Sequence, residues 1–281
     1  MSSWLVGCDV SEYQETITWS EISPGGYFSL VKISEGTSYV DRMAAQNVPG
    51  ARSIADPNGW INFWYHFADG YDPVAEAQHF LAVLSQFGGL QTWEGLMYDF
   101  EKNGIADPGT YTNTFEEYVF NQTGVRPLLY SNRYLMSLIY QANPNAGKFL
   151  ADPDDPPSTN AQYLGKTVPY EYVMQQYGTG SMPGVPVACD IDYFFGTLSE
   201  LRAYTKQPTP VAVPQSTSTT TTTSTSTTTE TSTTTQSTSS TTSSTTTTLP
   251  PPVIGPTMPS YPSIWEKVWD FILKVLYRRG L

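Results

Sequence analysis

Gly95-Leu96-Met97-Tyr98-Asp99-Phe100-Glu101 is an apolar run that ends in two carboxylates two residues apart. As a β-strand, its period of two puts Asp99 and Glu101 on one face, with Cα atoms about 6.6–7 Å apart at a rise of ~3.3 Å per residue. Both side chains then reach one sugar ring. Cleavage of a glycosidic bond needs such a pair: a protonated acid for the leaving oxygen and an ionised group for the positive charge at the anomeric carbon. Alone the pattern is weak, because Asp-x-Glu also closes strands whose ends are merely solvated.

Similar runs, each bounded by polar or turn residues, fall at 4–8, 28–33, 61–67, 95–100, 127–130, 148–151, 172–175 and 186–191, which makes eight candidate strands. Most are continuous rather than alternating, as expected where both faces of a sheet are covered. Helix signals lie between several of them. Asp72 suits an N-cap, Pro73 a first helical turn and Gly88-Gly89 a stop, around an apolar stripe of Val74, Ala77, Phe80, Leu81, Leu84 and Phe87. Further helices are expected over about 111–122, before Gly124, and over 133–141. Strands alternating with helices imply a parallel sheet, and eight of them a closed β/α barrel. The Pro- and Asp-rich stretch 153–171 holds few helix formers. The expected fold is therefore α/β: an irregular, flattened, TIM-barrel-like β/α barrel with some helices missing.

In such barrels the active site lies at the carboxyl ends of the strands. Polar residues gather there: Asp9 on the first run, Glu35 after the second, Tyr65 and His66 on the third, Asp99 and Glu101 on the fourth, Tyr130 on the fifth, Asp152 on the sixth, Gln175 and Gln176 on the seventh and Asp190 on the eighth. Any one of them is more simply a hydrogen-bonded strand-end residue. Their convergence favours a site.

Composition divides the 281 residues. Residues 1–205 carry both Cys and both His and nearly all the aromatics, with 23 acidic and 9 basic side chains, a net charge of −14. Residues 206–257 are dominated by Ser, Thr and Pro, and such a segment has too little to bury to offset its ordering entropy, so a disordered linker is expected. Residues 258–281 form a third, basic part. The acidic domain is poor material for nucleic-acid binding, which draws on Lys and Arg. With two isolated histidines and only Cys8 and Cys189, no familiar zinc spacing exists. Neither a metal nor another cofactor is expected. Alternation turns Asp9 and Asp190 inward and both thiols outward on runs that meet where a barrel closes, leaving either a disulfide or two buried thiols.

The ordered motifs resemble the glycoside hydrolase family 25 lysozymes, the N-acetylmuramidases of bacteria, phages and fungi. The matching segments are Gly7-Cys8-Asp9-Val10-Ser11, residues 32–41 from Lys32 to Asp41, Tyr65-His66-Phe67, residues 72–77, Tyr98-Asp99-Phe100-Glu101, Gln176-Tyr177-Gly178 and the stretch from Pro183 through Cys189-Asp190-Ile191-Asp192-Tyr193-Phe194. The resemblance implies a groove for peptidoglycan glycan strands and hydrolysis of the β-1,4 bond between N-acetylmuramic acid and N-acetylglucosamine. It makes Glu101 the general acid and Asp99 the assisting carboxylate. Asp9, Asp190, Tyr65, Glu35, Tyr130 and Gln176 become substrate-binding residues. On solvation, a Glu101 less exposed than Asp99 would keep its proton the longer. Three positions depart from the family: Gln175 and Phe149 stand where Trp is usual, which implies weaker sugar stacking, and Asp192 stands where Asn is usual, its simplest place being a surface loop. The rival reading is a non-catalytic glycan-binding barrel that targets the cell wall.

The resemblance, with no visible signal peptide, leads us to expect a monomeric, endolysin-like enzyme made in a host cytoplasm and acting on the wall after release; secretion is the alternative. In residues 263–279, Ile264, Trp265, Val268, Trp269, Ile272 and Leu276 lie on one helical face, opposite most of the charges. The segment is too short and charged to span a bilayer. It suits an interfacial helix on a membrane or lipid-rich envelope, and equally a helix that self-associates or packs on the barrel. The interfacial reading predicts that a peptide of residues 254–281 co-sediments with anionic liposomes; a peptide left in the supernatant would favour the other.

Overall fold

The computed structural model describes residues 4–22, 26–56, 58–153, 162–163, 166–167 and 172–208. The described residues fall in a compact unit spanning Ser2–Val213. The expected linker, beyond its first residues, and the C-terminal helix lie outside the described residues.

In chain order the strands are β1 (Leu5–Val10), β2 (Phe28–Glu35), β3 (Tyr39–Val40), β4 (Ile61–Phe67), β5 (Glu94–Asp99), β6 (Leu128–Asn132), β7 (Lys148–Ala151), β8 (Gln162–Tyr163), β9 (Lys166–Thr167), β10 (Met174–Gly180) and β11 (Cys189–Phe194). The helices are α1 (Trp19–Ile22), α2 (Ala44–Ser53), α3 (Pro73–Gln86), α4 (Pro108–Thr123), α5 (Arg133–Ile139) and α6 (Leu198–Arg202). Eight strands close in the order β1-β2-β4-β5-β6-β7-β10-β11, with β11 returning to β1. This is the expected irregular β/α barrel. β3 is an antiparallel flap on β2, and β8 and β9 form a separate hairpin.

Seven barrel strands are parallel, but β11 runs antiparallel to both β10 and β1, which corrects the expected all-parallel sheet. The cause is the connection. Residues 181–188 are too few for a parallel crossover, which takes a dozen or more residues, so the chain turns back on itself. The eighth strand also begins later than its apolar run suggested. Asp190 lies near its start, and reversal brings that start to the end of the barrel where the other strands finish.

Two apolar cores follow from the period of two. The lumen is filled by side chains such as Leu5, Phe28, Phe63, Met97, Phe149 and Phe194. The outer layer packs Trp64, Leu96 and Tyr98 beneath Phe80 and Leu84 of α3 and Phe115 of α4. Tyr98 and Phe115 stack with ring centroids 3.6 Å apart. Gly7 and Gly95 make room for the lumen rings, since a Cβ there would lie 2.3 Å from Phe28 and 2.2 Å from Phe63. Helices α3 and α4 carry the expected caps: the Asp72 side chain accepts from the amides of Val74 and Ala75, Asp107 accepts from Thr110, and Gly124 ends α4 at φ 72°. Helix α2 was not expected, because Pro49 and Gly50 disfavour helix; burial of Ala44, Val48 and Ala51 against the barrel outweighs them. Cys8 and Cys189 face the outer layer as buried free thiols.

Candidate active site

The carboxyl ends of the parallel strands carry the groups singled out from the sequence. β5 stops at Asp99, with Glu101 two residues on. Asp99 pairs in register with Tyr130 of β6, and Asp9 of β1 with Asp190 of β11. Tyr65 of β4 lies opposite Lys32 of β2. A hydrogen-bonded bridge joins three strands here. The Tyr130 hydroxyl donates to Gln176 Oε1 at 2.8 Å, and Gln176 Nε2 donates to Asp9 Oδ2 at 2.8 Å. Seven of the eight predicted residues thus line one mouth. Glu35, the eighth, holds Lys32 Nζ at 2.7 Å, and its charge adds to the rise of Asp99.

Solvation of the acid pair is the reverse of what the sequence suggested. Asp99 is only 8% exposed, and its Oδ1 has no hydrogen-bond partner among the described residues, whereas Glu101 is half-buried in the opening. Asp99 is pushed well above the usual carboxylate range, first by burial, then by the charges of Glu101 and Asp9; Lys32 opposes the shift. Burial and Asp190 raise Glu101 as well. Asp9 goes up through burial and Asp190, with the Gln176 bond acting against it, and Asp190 through burial. These carboxyls therefore cannot all ionise together, and the Asp99/Glu101 pair keeps a proton above the ordinary carboxylate range. The hydroxyls of Tyr65 and Tyr130, raised by burial and by the surrounding carboxylates, stay protonated as donors.

Three other strand-end residues have structural roles. His66 faces the outer layer, its Nδ1 2.8 Å from Ser34 Oγ, and burial lowers its pKa to about 3, so it is neutral. Asp152 is paired with Arg133. Phe149 is fully buried in the lumen, edge-on to Tyr130, and presents no face to a sugar.

Sequence reasoning missed three features. Lys32 is a cation inside an apolar strand, which was its signal; it lies 4.8 Å from the centre of the Phe67 ring, and its charge favours ionised Asp99. Asp192, expected in a surface loop, is completely buried on β11, where its spacing of two from Asp190 turns it inward. Exposed tyrosines are the third: Tyr13 after β1, Tyr71 after β4 and Tyr134 after β6 follow the carboxyl ends of their strands and are 53–84% exposed, whereas Tyr177 of β10 is 38% exposed with its ring edge-on to Tyr193 of β11. Nothing in the sequence around the first three marked them, yet open aromatic faces beyond strand ends suit stacking against sugar rings.

The family model "Glycosyl hydrolases family 25" matches residues 8–181. An N,O-diacetylmuramidase from Chalaropsis sp is 30% identical over 142 residues, 45% of this chain and 65% of that protein, so the chain spans just under two thirds of that relative's length. The crystal structure of a bacterial lysozyme from Streptomyces coelicolor superposes with a TM-score of 0.60 at 25% identity, covering 72% of this chain and 97% of that one. An endolysin catalytic domain from bacteriophage P40 of Listeria monocytogenes shares the fold, with a TM-score of 0.57 at 21% identity over 71% of this chain and 98% of its own.

If Lys32 is what keeps Asp99 ionisable, Lys32→Met will raise Asp99 further. The acid limb of the kcat/KM pH profile should then move up by about one unit, a roughly tenfold loss near pH 5, with the alkaline limb unmoved. Lys32→Arg should restore it. Superimposable acid limbs would remove Lys32 from this role.

Proposed function

The chain belongs to glycosyl hydrolases family 25, and from that premise we propose that it is a peptidoglycan muramidase. It hydrolyses the β-1,4 bond between N-acetylmuramic acid and N-acetylglucosamine in the manner of an endolysin. The observation that carries this reading is the Asp99/Glu101 pair at the end of β5, facing Asp9 and Asp190 across one mouth. The rival non-catalytic barrel has no such support, since binding glycan alone needs no crowded acid pair of this kind.

Access divides the labour. Glu101, half-open in the mouth, is the group that reaches the leaving glycosidic oxygen, and it delivers its proton there as the bond to the anomeric carbon lengthens. Asp99 lies deeper, under the sugar ring, where a carboxylate stabilises the positive charge that develops. Either Asp99 itself or the substrate's 2-acetamido oxygen, oriented by Asp99, completes the displacement; water then releases the sugar, with Glu101 taking back a proton. Binding the cationic ring favours ionised Asp99 just when Glu101 must be acidic, so the shared proton sits on the group that uses it. Asp9, seated by Gln176, the donor Tyr65 and the hydroxyl oxygen of Tyr130, whose proton Gln176 holds, grip the ring's polar edges. Tyr71 and Tyr134 offer faces to the sugars beyond.

Glu101→Gln should lower turnover of purified peptidoglycan by about 10²–10⁴-fold while leaving the melting temperature and glycan binding intact. The wild-type profile should be bell-shaped, because one carboxyl must be ionised and the other protonated. Lysis retained by Glu101→Gln, or a profile flat from pH 4 to 8, would overturn the assignment.

A further inference from the structure

Below Asp9 and Asp190 lies a carboxyl group that the reaction above does not use. Asp192 shares the inward face of β11 with Asp190, and in register it stands opposite Gly7 of β1 and Gln176 of β10. It is 0% exposed, and neither of its carboxyl oxygens has a hydrogen-bond partner among the described residues. Gly7 presents no side chain to it, and the Phe28 ring occupies the space in front of that glycine. An ionised carboxylate without donors in an apolar interior costs several kcal/mol in general, far more than the neutral acid.

The charges of Asp9, Asp190 and Cys189 oppose its ionisation. Asp9 faces it from β1, and Asp190 and Cys189 come from its own strand. The Tyr130 hydroxyl of β6 approaches through Gln176 of β10. From β2, β4 and β7 the lumen receives Phe28, Phe63 and Phe149. There is no cation among these groups. Gln176, beside Asp192, is also the residue that seats Asp9.

We propose that Asp192 is a positioning residue that works as a neutral acid: its retained proton keeps a third negative charge out of the floor beneath Asp9 and Asp190, so that Asp9 stays seated on Gln176 and holds the glycan. Burial first, and then the charges of Asp9 and Asp190, raise Asp192 well above the usual carboxylate range, in keeping with this geometry. Loss of the proton at high pH repels Asp9 and loosens its seat, so glycan binding weakens while proton delivery by Glu101, beyond the end of β5 on the opposite wall of the barrel, follows its own titration. The part played by the glycan rests on the muramidase reading; the retained proton does not.

Asp192→Asn keeps the shape and cannot ionise, and Asp192→Ser serves if the amide folds poorly. Melting temperatures of the full chain and the variant are compared from pH 3.5 to 8.5. A raised acid stays protonated in the folded state while the unfolded chain ionises near pH 3.9, so the wild type loses stability as pH climbs above that value. The variant should therefore gain on it steadily, by about 8–16 °C at pH 7 relative to any offset at pH 3.5. With soluble glycan strands, KM of the wild type should rise about tenfold more than that of the variant between pH 6 and 9, with coincident alkaline limbs in kcat. A melting gap that stays constant with pH, or KM curves that run parallel, would overturn the proposal. If the wild type cleaved no glycan, the muramidase reading would fall; the melting gap and calorimetric binding of the same strands at the two pH values would still decide the role of Asp192.

Discussion

Pairing of β1 with β11 closes the barrel and sets Asp9 directly opposite Asp190, so the fold joins its two ends where its charges repel most. A continuous backbone ladder supplies the attraction, and short-range bonds manage the charge. Gln176 spans Tyr130 and Asp9, Lys32, paired with Glu35, opposes the rise of Asp99, and Asp192 is buried beneath the mouth without a hydrogen-bond partner among the described residues. The lumen below is packed with apolar side chains, Phe28, Phe63, Phe149 and Phe194 among them, which offer no compensating charge. Whatever the groove does chemically starts from this crowding, because the carboxyls must share fewer charges than they have oxygens to carry.

Crowding also bears on stability. Acids raised in the folded state stay protonated there but ionise in the unfolded chain, so each one makes the folded state less favourable as pH rises above about 4. Asp9, Asp99 and Asp192 all act in that direction. The two apolar layers and the capped helices α3 and α4 offset it. Strain is thus concentrated in the part that handles substrate, as is common for functional sites.

Much of this was legible in the sequence because continuous apolar runs report strands covered on both faces. All eight runs overlap barrel strands, and those at 61–67 and 148–151 coincide with β4 and β7. Asp72-Pro73 and Gly124 marked helix ends through specific capping chemistry. Strand direction was not legible, since an apolar run reads the same both ways; only the short 181–188 connection held that information. Helix α2 was hidden by Pro49, whose local cost is outweighed by tertiary burial. At the site, period-two alternation placed Asp9, Asp99 and Asp190 correctly on one mouth, and the same rule applied to Asp192 would have turned it inward. Relative solvation of Asp99 and Glu101 depends on how far each lies past the strand end, which no pattern of residues encodes.

The central claim is that this groove cuts the glycan strand on the muramic acid side. The most direct measurement digests purified peptidoglycan with the full chain, reduces the new ends with borohydride and identifies them by mass spectrometry. Reduced muramic acid is the predicted product. Reduced glucosamine, or new amino groups without new reducing ends, would contradict it.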